Sequence, residues 1–155
     1  MPKRILVWDD RRHGTGSPVI DEQHRRLIAG INALYDGVEI GLPHAALRHA
    51  LASVLALADR HFAVEEAIMR AHGYPDLARH ESEHRALIAH ASNLVNALDP
   101  ARPARTALAF AYLVDWAEAH ILQADKAAGA FVAARTQRPE PALADGSSAL
   151  PEPPR

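Results

Sequence analysis

Histidine and carboxylate side chains at helical spacing are the feature of this chain most able to do chemistry. The sequence contains ten histidines among 155 residues, and imidazole is the most common metal ligand in proteins. His61 and Glu65 stand four residues apart, and so do His80 and His84. Because residues i and i+4 lie on the same face of an α-helix, each pair can present two ligands to one metal ion. The spacing therefore indicates a metal site built on helices.

Four segments carry apolar residues at steps of three and four, which predicts four amphipathic helices. Turn-forming residues precede each segment, at Ser17-Pro18, at Pro43, at Gly73-Tyr74-Pro75, and at Asp99-Pro100 with Pro103. Short connections between the segments favour an up-down-up-down four-helix bundle. We expect an all-α fold in which residues 1–136 form one four-helix domain with an N-terminal arm. Residues 137–155, which are rich in Pro, Glu, Ala and Ser, are predicted to be a disordered tail.

Six polar side chains fall on the helix faces that should be buried. They are His24, His61, Glu65, His80, His84 and His120. A buried polar group without a partner costs about 1–3 kcal/mol, and no Arg or Lys shares these faces to pair with the carboxylate. A single inward histidine is more often a core residue bonded to a backbone carbonyl, whereas six such groups spread over four helices favour a shared metal site.

The remaining histidines lie off these faces or in loops, and we interpret them as surface residues. They are His13, His44, His49, His72 and His90. Glu66, beside Glu65 in the sequence, is expected to be solvated for the same reason.

Asp125 follows His120 by five residues, which is poor registry in a regular α-helix. A single π-bulge would bring residues i and i+5 onto one face, and such bulges are frequent at functional sites. A slightly rotated position with a long side-chain reach is the alternative. Spacing alone does not identify Asp125 as a ligand.

Composition excludes several other classes of protein. There is no cysteine, so thiolate zinc sites, iron–sulfur clusters and cysteine nucleophiles are ruled out. The formal net charge is -2, which gives no basic footprint for nucleic acid. No apolar run is long enough to span a bilayer, and no signal peptide is visible at the start. We therefore expect a cytoplasmic protein with no nucleic-acid or membrane partner.

The order and spacing of these residues resemble the bacteriohemerythrins from about Trp8 to about Ala134. The matching pieces are Trp8-Asp9, Ile20-Asp21-Glu22-Gln23-His24, His61-Phe62-Ala63-Val64-Glu65-Glu66 with Met69, Gly73-Tyr74-Pro75, His80-Glu81-Ser82-Glu83-His84, and Trp116 leading to His120-Ile121 and Asp125. Two stretches depart from the family pattern, namely Arg11 to Gly16 and Lys126 to Gly129, the second being smaller and richer in alanine than expected.

The resemblance implies a centre of two non-haem iron ions (Fe2+/Fe3+) bridged by an oxo or hydroxo group. The implied ligands are His80, His84 and His120 on one iron, His24 and His61 on the other, and Glu65 and Asp125 as bridges. That ligand count leaves one open position on the second iron, where dioxygen could bind. Trp116, one turn before His120, is expected to form the wall of this oxygen pocket, with Leu27, Ile28 and Phe62 as weaker candidates.

The implied function is reversible dioxygen binding for storage, delivery or sensing, by a monomer that is not an enzyme. A redox or signalling partner remains open. The alternatives on the same site are a di-iron oxidase, peroxidase or nitric oxide reductase, and an iron store. An enzyme usually needs a positioned acid or base, and no spare titratable group falls convincingly on the inner faces.

Overall fold

The computed structural model describes residues 5–97 and 101–137, and within them the chain is helical, with no β-strand. The helices are α1 (Asp10–His13), α2 (Pro18–Glu39), α3 (His44–Ala71), α4 (Leu77–Ala97), α5 (Pro103–His120), a π-helical turn (Ile121–Asp125) and α6 (Lys126–Thr136). The predicted all-α fold is confirmed. The predicted tail lies outside the described residues, apart from Gln137.

The long helices form a bundle in which sequence neighbours pack side by side. Helix α2 packs on α3, α3 on α4, and α4 on α5, while α5 returns to α2 and α6 reaches α3. The π-helical turn continues directly from α5 into α6, so these three elements run as one bundle helix. None of the helices described has the length and apolarity needed to cross a membrane.

The apolar core fills one half of the bundle. It consists of Leu6, Ile28, Leu34, Leu47, Leu51, Leu94, Phe110 and Val114. On α2 and α3 most of these residues lie toward the shared connection, whereas the polar residues singled out above lie toward the other ends of the same helices. Along each long helix, the inward face is therefore apolar in one half, where it packs into the core, and polar in the other half.

The turn between α3 and α4 brings two of the polar pairs face to face. Gly73 adopts a φ of 65°, a left-handed conformation that favours glycine. The backbone N–H of Tyr74 then donates to the carbonyl of Met69 at 2.9 Å, which satisfies one of the last carbonyls of α3. The chain reverses within a few residues, so the His61–Glu65 face of α3 meets the His80–His84 face of α4.

The N-terminal arm packs along the bundle and is anchored at Leu6. The Asn32 side chain donates from Nδ2 to the Leu6 carbonyl at 2.7 Å, and the Leu6 N–H donates to Asn32 Oδ1 at 3.2 Å. Leu6 is thereby held inside the core. Trp8 packs against the same core, and the Arg25 guanidinium lies 5.0 Å from its ring centroid.

The prediction that His13 is a surface residue is wrong, because its side chain is only 1% exposed. The short helix α1 folds back on the bundle and places His13 Nε2 3.3 Å from Glu118 Oε1 on α5. The Trp8 ring covers the imidazole with a centroid separation of 5.4 Å. A helix of four residues has too few turns to show an apolar period, so the sequence pattern gave no sign of this burial.

Candidate metal centre

Seven ionisable side chains converge in the interior of the polar half of the bundle. They are His24 on α2, His61 and Glu65 on α3, His80 and His84 on α4, His120 on α5 and Asp125 in the π-helical turn. All seven are buried. Each of the four bundle helices contributes at least one of them, which is how sites in the core of helical bundles are built.

One group combines three histidines from α4 and α5 with Asp125. The ligand atoms of His80, His84, His120 and Asp125 all lie within 4.8 Å of one another. Asp125 Oδ1 lies 3.2 Å from His80 Nε2 and 3.1 Å from His120 Nε2. These four side chains can therefore surround a single ion.

A second group combines two histidines from α2 and α3 with Glu65 and the same aspartate. The ligand atoms of His24, His61, Glu65 and Asp125 again lie within 4.8 Å of one another. Asp125 Oδ2 is 3.1 Å from His24 Nε2, so the two oxygens of this carboxylate face different groups. Asp125 thus stands between two potential ion positions.

Glu65 occupies the other position between the groups. Its Oε2 atom lies 3.7 Å from His61 Nε2 and 3.3 Å from the Nε2 atoms of both His80 and His84. All three contacts use the same oxygen. The structure thus brings together every candidate ligand named from the sequence in the grouping expected, while their role as ligands remains a prediction.

The π-helical turn explains how Asp125 joins His120. In a regular α-helix, residues five apart point about 140° away from each other around the axis. The turn from Ile121 to Asp125 is π-helical, and because such a turn holds more residues than an α-helical one, it places residues i and i+5 on one face. The structure therefore contains the π-bulge considered from the sequence, rather than a long reach from a rotated position.

Several polar atoms at the centre have no hydrogen-bond partner, although they are buried. Among them are Nε2 of His84, Nε2 of His120 and both carboxylate oxygens of Asp125. Buried polar atoms are rarely left unpaired in folded proteins. Buried imidazole nitrogens and carboxylate oxygens that converge in this way fit a bound cation, and such a set suits iron.

Three residues adjacent to candidate ligands in the sequence orient the imidazole on the next helix. His61 Nδ1 donates to Gln23 Oε1 at 3.0 Å, His84 Nδ1 to Glu66 Oε1 at 2.8 Å, and His120 Nδ1 to Glu83 Oε2 at 3.0 Å. Each bond places the ring proton on Nδ1 and leaves Nε2 free to face the centre. The prediction that Glu66 is merely solvated is therefore wrong, because its carboxylate is engaged by His84. No spacing rule signals such a contact, because it depends on how α3 and α4 pack.

Comparison with known families supports the same interpretation. The family model described as "Hemerythrin HHE cation binding domain" matches residues 15–131, which include all seven candidate ligands. The chain belongs to the hemerythrin HHE family.

Individual relatives agree with this membership. The bacteriohemerythrin of Pseudomonas paraeruginosa is 37% identical over 83 residues, which cover 54% of this chain and 53% of that protein. The chain thus spans about half the length of this relative. The bacteriohemerythrin of Methylococcus capsulatus is 25% identical over 130 residues, covering 84% of this chain and 98% of that protein. The crystal structure of a wild-type hemerythrin matches with a TM-score of 0.70 and 26% identity, over 83% of this chain and 98% of that one.

Burial and mutual contact shift the pKa values of this hemerythrin-family centre in opposite directions. Burial is the main reason that the pKa of His61 falls to about 4. Burial also acts to lower the pKa of His80, but close contact with the carboxylates of Asp125 and Glu65 outweighs it and raises that pKa to about 9. Burial would raise the pKa of the Asp125 carboxyl, yet its close contacts with the imidazoles of His120, His24 and His80 hold that pKa well below its usual range. A cation entering the centre therefore finds ionised carboxylates and displaces protons held by histidine.

An apolar cavity of about 80 Å³ adjoins the centre. His24, His61, His120 and Asp125 form its polar end, and most of the remaining wall is aliphatic. Leu27, Ile28 and Phe62, the weaker candidates for an oxygen pocket, all line it. The Phe62 ring also stacks on the His84 imidazole with a centroid separation of 3.8 Å.

Trp116, the residue expected to form the wall of the oxygen pocket, does not line this cavity. On α5 the cavity is lined by Leu113 and Ala117, whereas the Trp116 ring lies 5.5 Å from the ring of the exposed His90. His120 also lines the cavity. Trp116 and Ala117 precede His120 by four and three residues, so they flank its direction on opposite sides of the helix, about 100° apart. The cavity lies on the Ala117 side.

Proposed function

We propose that this protein binds dioxygen reversibly at a non-haem di-iron centre held by the seven buried side chains. The observation that carries the proposal is the unequal division of the histidines beside an apolar cavity. Three histidines belong to one group and two to the other, while the carboxylates of Glu65 and Asp125 lie between them. Both histidines of the smaller group line the cavity, against one of the three in the larger group, His120. This lining supports an ion position with fewer histidines beside the space that a small apolar molecule would enter.

The residues around the centre support reversible binding in two ways: they hold the imidazoles in place, and they exclude water. Two ferrous ions, when bound, would supply the two electrons that pass to dioxygen and return when it leaves. Leu27 and Ile28 are buried, and as part of an aliphatic wall they keep the polar solvent away from the open side of the centre. The hydrogen bonds from His61 and His84 to Gln23 and Glu66 hold the imidazoles in one orientation while the ligand enters and leaves.

The cavity favours carriage over catalytic turnover. Its titratable residues are His24, His61, His120 and Asp125, and all four are candidate metal ligands. An oxidase or peroxidase would need a further acid or base within hydrogen-bond reach of its substrate. The part of the chain that the structure describes offers no such group on the cavity wall. Binding and release of dioxygen requires none.

A visible spectrum taken through one oxygenation cycle tests the proposal. We expect about two irons per chain and a nearly colourless reduced protein. Oxygen should produce a visible charge-transfer band, and removal of oxygen should abolish that band without added reductant. Irreversible oxidation in one exposure, with both irons retained, would overturn the carrier function in favour of a di-iron enzyme.

A pair of histidine variants on α3 provides the matched control. His61→Ala removes a candidate ligand, whereas His49→Ala removes an exposed histidine from the same helix. We expect the first variant to lose the oxygen-dependent band and the second to keep it. Equal behaviour of the two variants would contradict the assignment of His61 to the centre.

A further inference from the structure

A second opening reaches the metal centre from the side opposite the apolar half of the bundle. It is a cleft of about 320 Å³ between the loop before α2 and helix α6. Exposed residues, among them Gly16, Pro18 and Thr136, lie at its mouth, and the buried carboxylates of Glu65 and Asp125 lie at its inner end. The cleft therefore runs from solvent toward the two acidic side chains that stand between the ion positions, and these side chains stay covered at its inner end.

The walls of the cleft are fixed by specific contacts. Asp21 accepts hydrogen bonds from the backbone N–H and from the hydroxyl of Thr15, both at 2.8 Å. On the facing helix, a Cβ at Gly129 would overlap the Thr15 carbonyl oxygen, so the close approach of loop and helix requires glycine there. Lys126 Nζ donates to the carbonyl of Arg12 at 2.7 Å and ties the same helix to α1. The two stretches in which the sequence departs from its family thus pack on each other.

The inner end of the cleft has the chemistry of a cation port. Asp125 Oδ2 lies 3.1 Å from His24 Nε2, and Asp125 Oδ1 lies 3.2 Å from His80 Nε2, while the side chain is only 1% exposed. Within residues 5–97 and 101–137, no Lys or Arg forms an ion pair with Asp125 or Glu65. Two carboxylates without a Lys or Arg partner, placed at the end of a passage, attract a divalent cation and repel anions.

We propose that ferrous iron enters and leaves the centre through this cleft. The proposal rests on the metal centre of the proposed function, but not on its oxygen chemistry. A hydrated divalent cation cannot cross the aliphatic cavity without losing water that nothing there replaces. In the cleft, Ser17, Thr136 and Gln137 supply hydroxyl and amide oxygens on the way to the carboxylates.

Release of iron from the loaded, reduced protein to an external chelator such as 2,2'-bipyridine tests the proposal. Ala133 lines the cleft, and Ala133→Leu should fill part of it and slow release severalfold. Ala134 is an exposed residue on the same helix and does not line the cleft, so Ala134→Leu is the matched control and should release iron at the wild-type rate. Val132→Ala should widen the passage and speed release.

Two results would contradict the proposal that iron passes through the cleft. One is wild-type release from Ala133→Leu. The other is a set of release rates that follows the thermal stabilities of the three variants, which would mean that iron leaves by unfolding. The same measurement on cobalt-loaded protein, followed by the visible bands of Co2+, separates this proposal from the proposed function. Cleft-dependent cobalt release from a protein that fails to bind oxygen reversibly would refute only the oxygen function.

Discussion

The apolar cavity and the polar cleft reach the same centre but are built from different kinds of residue. The cavity lies among the four long helices and is lined mainly by Leu, Ile, Val and Ala side chains. The cleft lies between a loop and α6, and hydroxyl and amide groups accompany its apolar residues. Asp125 lines both, since its carboxylate stands at the point where the two spaces end.

This difference indicates how one centre can receive both an apolar gas and a strongly hydrated cation. An uncharged diatomic gas gains nothing from polar walls and enters apolar space readily, whereas a cation must keep oxygen atoms around it. The cavity follows from the amphipathic stripes that also form the core. The cleft depends on local details, namely the glycine at 129 and the loop held by Asp21.

The largest expected effect comes from removing Glu65, a carboxylate that lies between the two groups of histidines. Glu65→Ala should abolish stable binding of both irons, because Glu65 Oε2 lies close to histidines of both groups and its loss leaves a more positive buried site. Glu66→Ala on the same helix removes only the hydrogen bond to His84 Nδ1. We expect that variant to keep the centre with metal affinity lowered about 10- to 100-fold.

Metal content by elemental analysis and competition with a chelator distinguish these outcomes. Two irons and normal oxygen binding in Glu65→Ala would show that this carboxylate does not bridge. In that case the cavity and the cleft would lead to different ions, and they would not be two routes to one centre.

An intermediate effect is expected from narrowing the cavity alone. Ala91 is buried and lines the cavity, so Ala91→Leu should slow oxygen association while leaving iron release unchanged. Ala89→Leu places the same side chain on the exposed face of α4 and serves as the control. Stopped-flow mixing with oxygen gives the first rate, and chelator-driven iron loss gives the second.

The comparison would fail if Ala91→Leu slowed both processes equally, because a single route would then serve gas and ion. Thermal unfolding of both variants shows whether the larger side chain has strained the core, which typically costs about 1–3 kcal/mol when space is lacking. A strained variant with unchanged oxygen association would likewise contradict the assigned route.

The bundle and six of the seven candidate ligands followed from periodicity, because their residues recur at steps of three and four along the chain. Asp125 came from the family resemblance, since spacing alone did not identify it. The i, i+4 pairs on α3 and α4 were predicted from helical spacing alone. The π-helical turn that ends at Asp125 was one of two explanations considered for the five-residue spacing from His120. The i, i+4 pairs and the π-helical turn could be predicted because each depends only on residues within a single helix.

What the sequence could not predict depends on contacts between elements. Glu66 reaches His84 only because of the way α3 packs on α4, and His13 is buried only because α1 folds back onto Glu118. Gly129 was visible as a small residue, but its packing against Thr15 requires the path of the loop. Periodicity carries no information about these distances.

The smallest expected effect is that of Trp116→Ala, which is compared with the effect of replacing Phe62 on the cavity wall. Trp116 lies beside His90, away from the cavity, so Trp116→Ala should change the rate of irreversible oxidation by no more than about twofold, as is usual for substitutions away from buried sites. Phe62 lines the cavity and stacks on His84, so Phe62→Ala should admit water and speed that oxidation clearly more. Loss of the oxygen-dependent band with time in air measures both rates. If Trp116→Ala oxidised faster than Phe62→Ala while keeping both irons, the water-excluding wall would lie on the α5 side, and the cavity described here would not be the route of oxygen.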